Sequence, residues 1–282
     1  MSAAAASTSR GVSIGEVVGS YWTFLARNRY RYHLENFKRR LETAARAAEA
    51  EAVVFSFLWS TEARPDIFED PSMGGPDFSC EPTGKQRFLV EVTSLESGAV
   101  SRRSHLPERI DGNGGSAFSL ITAALSGAAG SKAAQLANQP YPRVLAITSS
   151  HAFASILMDR LPAENLLLAD PMISHQQGDT LGHATMMTDL RKAVFFRLDK
   201  SGTKIVPRRQ SISAILLVAI SGRESEVVGV LHPQPAVAFD PNLFPQVPYI
   251  RLSHWPVLDG ILSTEWSIEG DDPATFYHTR IR

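Results

Sequence analysis

The chain has 282 residues, 44% hydrophobic and 20% charged, with a formal net charge of −1; this suits a globular protein able to bury a substantial core. Near-neutrality excludes a non-specific nucleic-acid coat but leaves room for a local basic groove. The single cysteine, Cys80, excludes an intramolecular disulfide and fits a reducing cytoplasm, and no stretch approaches the ~20 apolar residues of a membrane span, so a cytoplasmic protein without a membrane partner is expected.

Residues 1–12 read as a loose tail rather than a signal peptide, because they lack a charged start and a sustained apolar run. Residues 14–52 predict one or two helices. Leu34, Phe37, Leu41, Ala45 and Ala48 form an apolar stripe at helical spacing, and Glu35, Glu42 and Glu49 recur along its flank. The run Val53-Val54-Phe55-Ser56-Phe57-Leu58-Trp59 predicts a buried strand, and residues 60–75 a long acidic loop. Next comes a hairpin. One strand runs over 77–81, a turn falls at Pro82-Thr83-Gly84-Lys85, and the return strand covers 87–93.

That hairpin puts Asp77 opposite Val90 or Glu91, with Cβ atoms roughly 4.5–5.5 Å apart. Two carboxylates at this spacing repel unless a cation lies between them, and hard divalent cations prefer oxygen ligands. Glu91 and Thr93 share one face of their strand, and Val90 and Val92 the other. Glu91 lies inside an apolar strand, where an unpaired charge is costly and calls for a partner or a metal.

Residues 94–116 read as a polar loop carrying Arg102, Arg103 and Arg109. A small-residue helix follows over 117–138, ended by Pro140 and Pro142, and then a strand over 143–149 of the kind buried on both faces. Further on we expect a short helix over 151–160, an insertion with a helical end over 163–192, and strands over 193–198, 211–220 and 226–231. Pro233, Pro235, Pro241, Pro245 and Pro248 enforce extended, irregular chain thereafter. With no internal repeat and no linker, residues 13–282 read as one elaborated α/β domain, its core over about 30–160 and a C-terminal extension over about 161–282.

Pro76-Asp77 on one strand and Glu91-Val92-Thr93 on the next resemble the PD-(D/E)xK superfamily of restriction-like nucleases. There a Pro-Asp opens a strand and an acid-x-Lys follows a dozen or so residues later. The element order helix, three strands, helix, strand matches the restriction-endonuclease-like core, which is therefore the expected fold. The resemblance implies a Mg²⁺- or Mn²⁺-dependent nuclease that hydrolyses phosphodiester bonds of DNA. It assigns the metal to Asp77 and Glu91, and to a glutamate about a dozen residues before the first strand. Glu42, eleven before Val53, fits that place better than Glu35 or Glu49. Its alternative is a solvated helix flank beside Arg39 and Arg46.

Thr93 departs from the pattern, because it stands where the motif lysine belongs and its hydroxyl supplies no cation. Lys132, on the following helix, is the candidate replacement, with Gln135 one turn onward to orient phosphate or water; a plain surface lysine is the competing reading. Loss of the lysine also favours a second function, a catalytically inactive nuclease-fold module that binds nucleic acid or protein. Whether Lys132 or Lys85 reaches the acids discriminates the two. A third reading makes the hairpin the edge of an unrelated α/β protein, with Asp77 and Glu91 on opposite sides of the sheet. Nucleic acid, DNA first, is the expected partner, and a homodimer a further expectation. Arg27, Arg29 and Arg31 interleaved with Tyr30 and Tyr32, and Lys38-Arg39-Arg40, are the densest basic stretches. No His-x-x-x-His, Cys/His pair or Gly-x-Ser-x-Gly elbow is present.

Overall fold

The computed structural model describes residues 11–282 except 71, 73, 96–117, 138, 170, 176–183, 189, 191–192 and 258–261. Three helices open the chain: α1 (Ile14–Arg27), α2 (Arg31–Thr43) and α3 (Ala45–Ser60). Ser13 starts α1 with a capping box, its hydroxyl accepting from the Glu16 amide while Glu16 reaches back to the Ser13 amide.

Residues 53–59, expected as a strand, are the C-terminal half of α3. A seven-residue apolar run is equally compatible with a fully buried helix. The alanines that precede it carry helix directly into it, and neither glycine nor proline interrupts residues 44–64. Every residue from Ala50 to Leu58 is buried, because α3 is packed between the sheet on one side and α1 and α2 on the other.

The first strand, β1 (Pro65–Ile67), falls inside the stretch expected to be loop. It pairs antiparallel with β2 (Phe78–Cys80), and β2 with β3 (Phe88–Leu95). The Lys85 amide closes the β2–β3 turn on the Pro82 carbonyl at 3.1 Å, with Gly84 at φ +67. That backbone position suits glycine. After β3 come α4 (Phe118–Gln135) and β4 (Arg143–Ser149). β3 and β4 are parallel, with Glu91 beside Leu145, as a crossover through a helix permits.

The chain continues through α5 (Ala154–Leu157), α6 (Arg160–Leu168), and two small hairpins, β5/β6 (Pro171–His175, Ala184–Thr188) and β7/β8 (Phe196–Leu198, Ile205–Pro207). The 163–192 stretch thus begins with a helix and turns to a hairpin, where a helical end was expected. β9 (Ala214–Ser221) pairs parallel with β4, and β10 (Glu224–Leu231) antiparallel with β9. The proline-rich stretch then gives way to β11 (Tyr249–Leu252), β12 (Thr264–Trp266) and β13 (Ala274–Tyr277). Pro248 immediately precedes β11, so it punctuates the strand rather than interrupting it.

The result is a mixed sheet in the order β1-β2-β3-β4-β9-β10-β11-β12, with β13 also on β10. One face carries α1–α3 over Phe78, Val90, Val144 and Leu216; the other carries α4–α6 over Leu145, Ile147, Ile215 and Leu217. Strands of the C-terminal extension continue the core's own sheet. No helix among the described residues is long and apolar enough to cross a membrane.

Candidate functional site

The site lies where β2 parts from β3. Phe78 pairs with Val90, so one step further Asp77 stands across from Glu91. At this point the Val92 amide donates to Asp77 Oδ2 at 2.7 Å. A side chain thus takes the place of the next backbone partner in the ladder. The Asp77 carbonyl accepts from Phe68 N at 3.0 Å, which draws the segment after β1 alongside. The hairpin is therefore inside the sheet, with β1 outside it, and Asp77 and Glu91 meet rather than part.

Glu91 is 2% exposed. Its side chain points to the α4 layer, where Lys132 Nζ donates to Oε1 at 2.5 Å. Lys132 lies in the last turn of α4, an end that favours a cation. Lys85, the other candidate, is turned away toward the Asn242 carbonyl, 3.5 Å from Nζ. Thr93 is half-buried two residues beyond Glu91, and its carbonyl accepts from Thr148 Oγ1 at 3.3 Å.

A third acid enters from the opposite layer, and it is Glu51 rather than Glu42. Glu42 is on the exposed side of α2. The count that selected it started from Val53 as a strand residue. Measured back from the first strand at Pro65, Glu51 falls fourteen positions ahead. Glu51 is almost wholly buried on α3; Tyr21 Oη donates to its Oε1 at 2.9 Å and Arg40 pairs with its Oε2. The Tyr21 ring is itself fixed against Phe37, with centroids 5.0 Å apart, and Phe55, at 4.9 Å. Glu69, on the segment after β1, is a fourth acid within Coulombic reach of the other three and is 3.7 Å from His33 Nδ1.

The electrostatics are those of an acid cluster short of positive charge. Burial, then repulsion from Glu91 and Glu51, pushes the Asp77 carboxyl well above the usual range, although it keeps partial solvent access and the Val92 amide opposes the shift. Burial likewise raises Glu91 against the opposing pull of Lys132, and raises Glu51 against Arg40 and Tyr21. Burial lowers His33 from its ordinary value, which leaves it neutral at pH 7. With all four acids ionised, they exceed Lys132 and Arg40 by two negative charges, which one divalent cation would neutralise. The donors are all oxygens, as Mg²⁺ and Mn²⁺ prefer. In that chemistry the residues fit such an ion. Among the described residues no three His, Cys, Asp or Glu side chains are gathered closely enough to grip an ion as they stand.

Arg40 was legible in the sequence only as part of a basic stretch suited to a nucleic-acid backbone; the structure turns it inward to Glu51. Tyr30 packs on the core and Tyr32 is exposed. Arg102, Arg103 and Arg109 lie outside the described residues, as does the Gln135 side chain. A groove of about 860 Å³ runs beside β1 rather than over the acids. Its Arg64, Lys85 and Arg87 are offset by Glu62, Asp66 and Glu81, so it is no strong attractor of polyanions. No family model, curated protein or solved structure matches the chain.

Proposed function

We propose that the chain is a metal-dependent nuclease that hydrolyses phosphodiester bonds of DNA, with a restriction-endonuclease-like core formed by α3, β1, β2, β3, α4 and β4. The observation that carries the reading is the Lys132–Glu91 contact. The cation missing at Thr93 returns from the neighbouring helix, at the acid that would hold the metal. It also weighs against the inactive-module reading, whose basis was that missing cation.

In this reading Asp77 and Glu91 hold Mg²⁺ or Mn²⁺, which when bound supplies an acidified water and a counter-charge to the phosphorane. The Val92 amide fixes the Asp77 carboxylate, and the rigid β3 strand fixes Glu91. Glu51 has one oxygen on Tyr21 and the other on Arg40, so it contributes a negative charge fixed in place behind the site. Lys132 supplies the ammonium that orients the attacking water or receives charge on the phosphate oxygens.

The test is incubation of the purified chain with supercoiled and linear DNA and Mg²⁺ or Mn²⁺, alongside Asp77→Ala. The expected result is cleavage that chelation and Asp77→Ala both abolish, with the circular dichroism of the variant unchanged. Equal cleavage by Asp77→Ala, or none by the parent on duplex DNA, single-stranded DNA and RNA, would overturn the assignment.

A further inference from the structure

Two of the four acids already have a cation in contact, and the two contacts differ in kind. Arg40 belongs to a closed arrangement, since both Glu51 oxygens have a donor and the Tyr21 ring behind them is locked among Phe37, Phe55 and Phe78. Lys132 reaches Glu91 from α4 on a flexible four-carbon stem, and its side chain is 27% exposed while that of Glu91 is 2% exposed. Its solvent access gives the ammonium a way out; Glu91, on a central strand, has none.

We infer that Lys132 is a displaceable counter-ion: it occupies Glu91 before a divalent cation binds and leaves that carboxylate when the cation enters. The inference rests on the metal-site reading above. The ammonium and the metal compete for the same carboxylate, and a like charge at contact distance disfavours entry of the second cation. The exchange also presents the freed ammonium to solvent at the mouth of the site, where a substrate phosphate would arrive. Lysine suits the role because its compact charge sits on a mobile stem, unlike the planar fork of arginine.

Calorimetric titration of Mg²⁺ and Mn²⁺ into the full chain and into Lys132→Met tests the exchange. Lys132→Met is expected to bind at least tenfold more tightly, to melt at a lower temperature without metal, and to gain more from saturating Mg²⁺ than the parent. If the parent binds and Lys132→Met binds equally or more weakly, the exchange is wrong and the metal site stands. If neither binds, both are wrong. A second measurement needs no variant. Limited acetylation of the parent's lysines, read by mass spectrometry, should modify Lys132 faster with Mg²⁺ than without; an unchanged rate under conditions where Mg²⁺ binds would also overturn the exchange.

Discussion

The acid cluster inverts the usual dependence of stability on pH, and Asp77→Asn isolates the effect. Asp77, Glu91 and Glu51 all have carboxyl groups raised above their unfolded values, by burial first in each case. Above about pH 4, where unfolded carboxylates ionise, the native state holds protons that the unfolded state has lost. Stability therefore falls as pH rises, until each native carboxyl has ionised in its turn. One group protonated in the native state and ionised in the unfolded state contributes a slope of about 1.4 kcal/mol per pH unit. Asparagine has the shape of Asp77 and keeps an oxygen for the Val92 amide, so Asp77→Asn removes one titration without removing the hydrogen bond. Urea midpoints measured in chelator between pH 4.5 and 8 should fall with pH for the parent, and less steeply for Asp77→Asn by up to that slope. The variant should also be the more stable of the two at pH 8. Parallel profiles, or a parent that gains stability with pH over this window, would refute the reasoning.

Other substitutions separate the acids by role. Arg40→Met leaves buried Glu51 with only the Tyr21 hydroxyl and should cost about 2–4 kcal/mol at neutral pH in a urea titration, since stranding one member of a buried pair is expensive. Glu42→Ala, on an exposed helix face, should change stability by less than about 0.5 kcal/mol and leave Mn²⁺ affinity untouched. Glu51→Gln should keep the fold and weaken Mn²⁺ binding severalfold by calorimetry; equal loss from Glu42→Ala would restore the original candidate. Phe55→Ala, in the middle of α3, should cost about 3–5 kcal/mol, as a fully buried aromatic does.

The part of the site carried by local pairing was readable from the chain. The turn at Gly84 sets the register that brings Asp77 to Glu91, and the alternation along β3 places Glu91 and Thr93 together. Lys132 was a candidate only through the resemblance, which calls for a lysine where Thr93 stands and sets the following helix beside the acids. Glu51 was missed because residues 53–59 were read as a strand, a choice that periodicity alone does not settle for a run apolar on every side. A usable signal was present: Glu51 is an acid between Ala50 and Ala52 at the head of that buried run, and the argument that flagged Glu91 applies to it equally. Glu69, Arg40 and Tyr21 join the site through tertiary packing of α1 and α2 and the segment after β1, which no local pattern encodes. The C-terminal strands were obscured by prolines that lie between them and not within them.

A crystal of the chain grown with Mn²⁺ and measured at the manganese absorption edge tests the central claim most directly. The account predicts an anomalous peak bonded to the carboxylates of Asp77 and Glu91, with Lys132 Nζ withdrawn from Glu91. Saturating Mn²⁺ with no peak at these two acids, or with a peak only elsewhere on the surface, would contradict it.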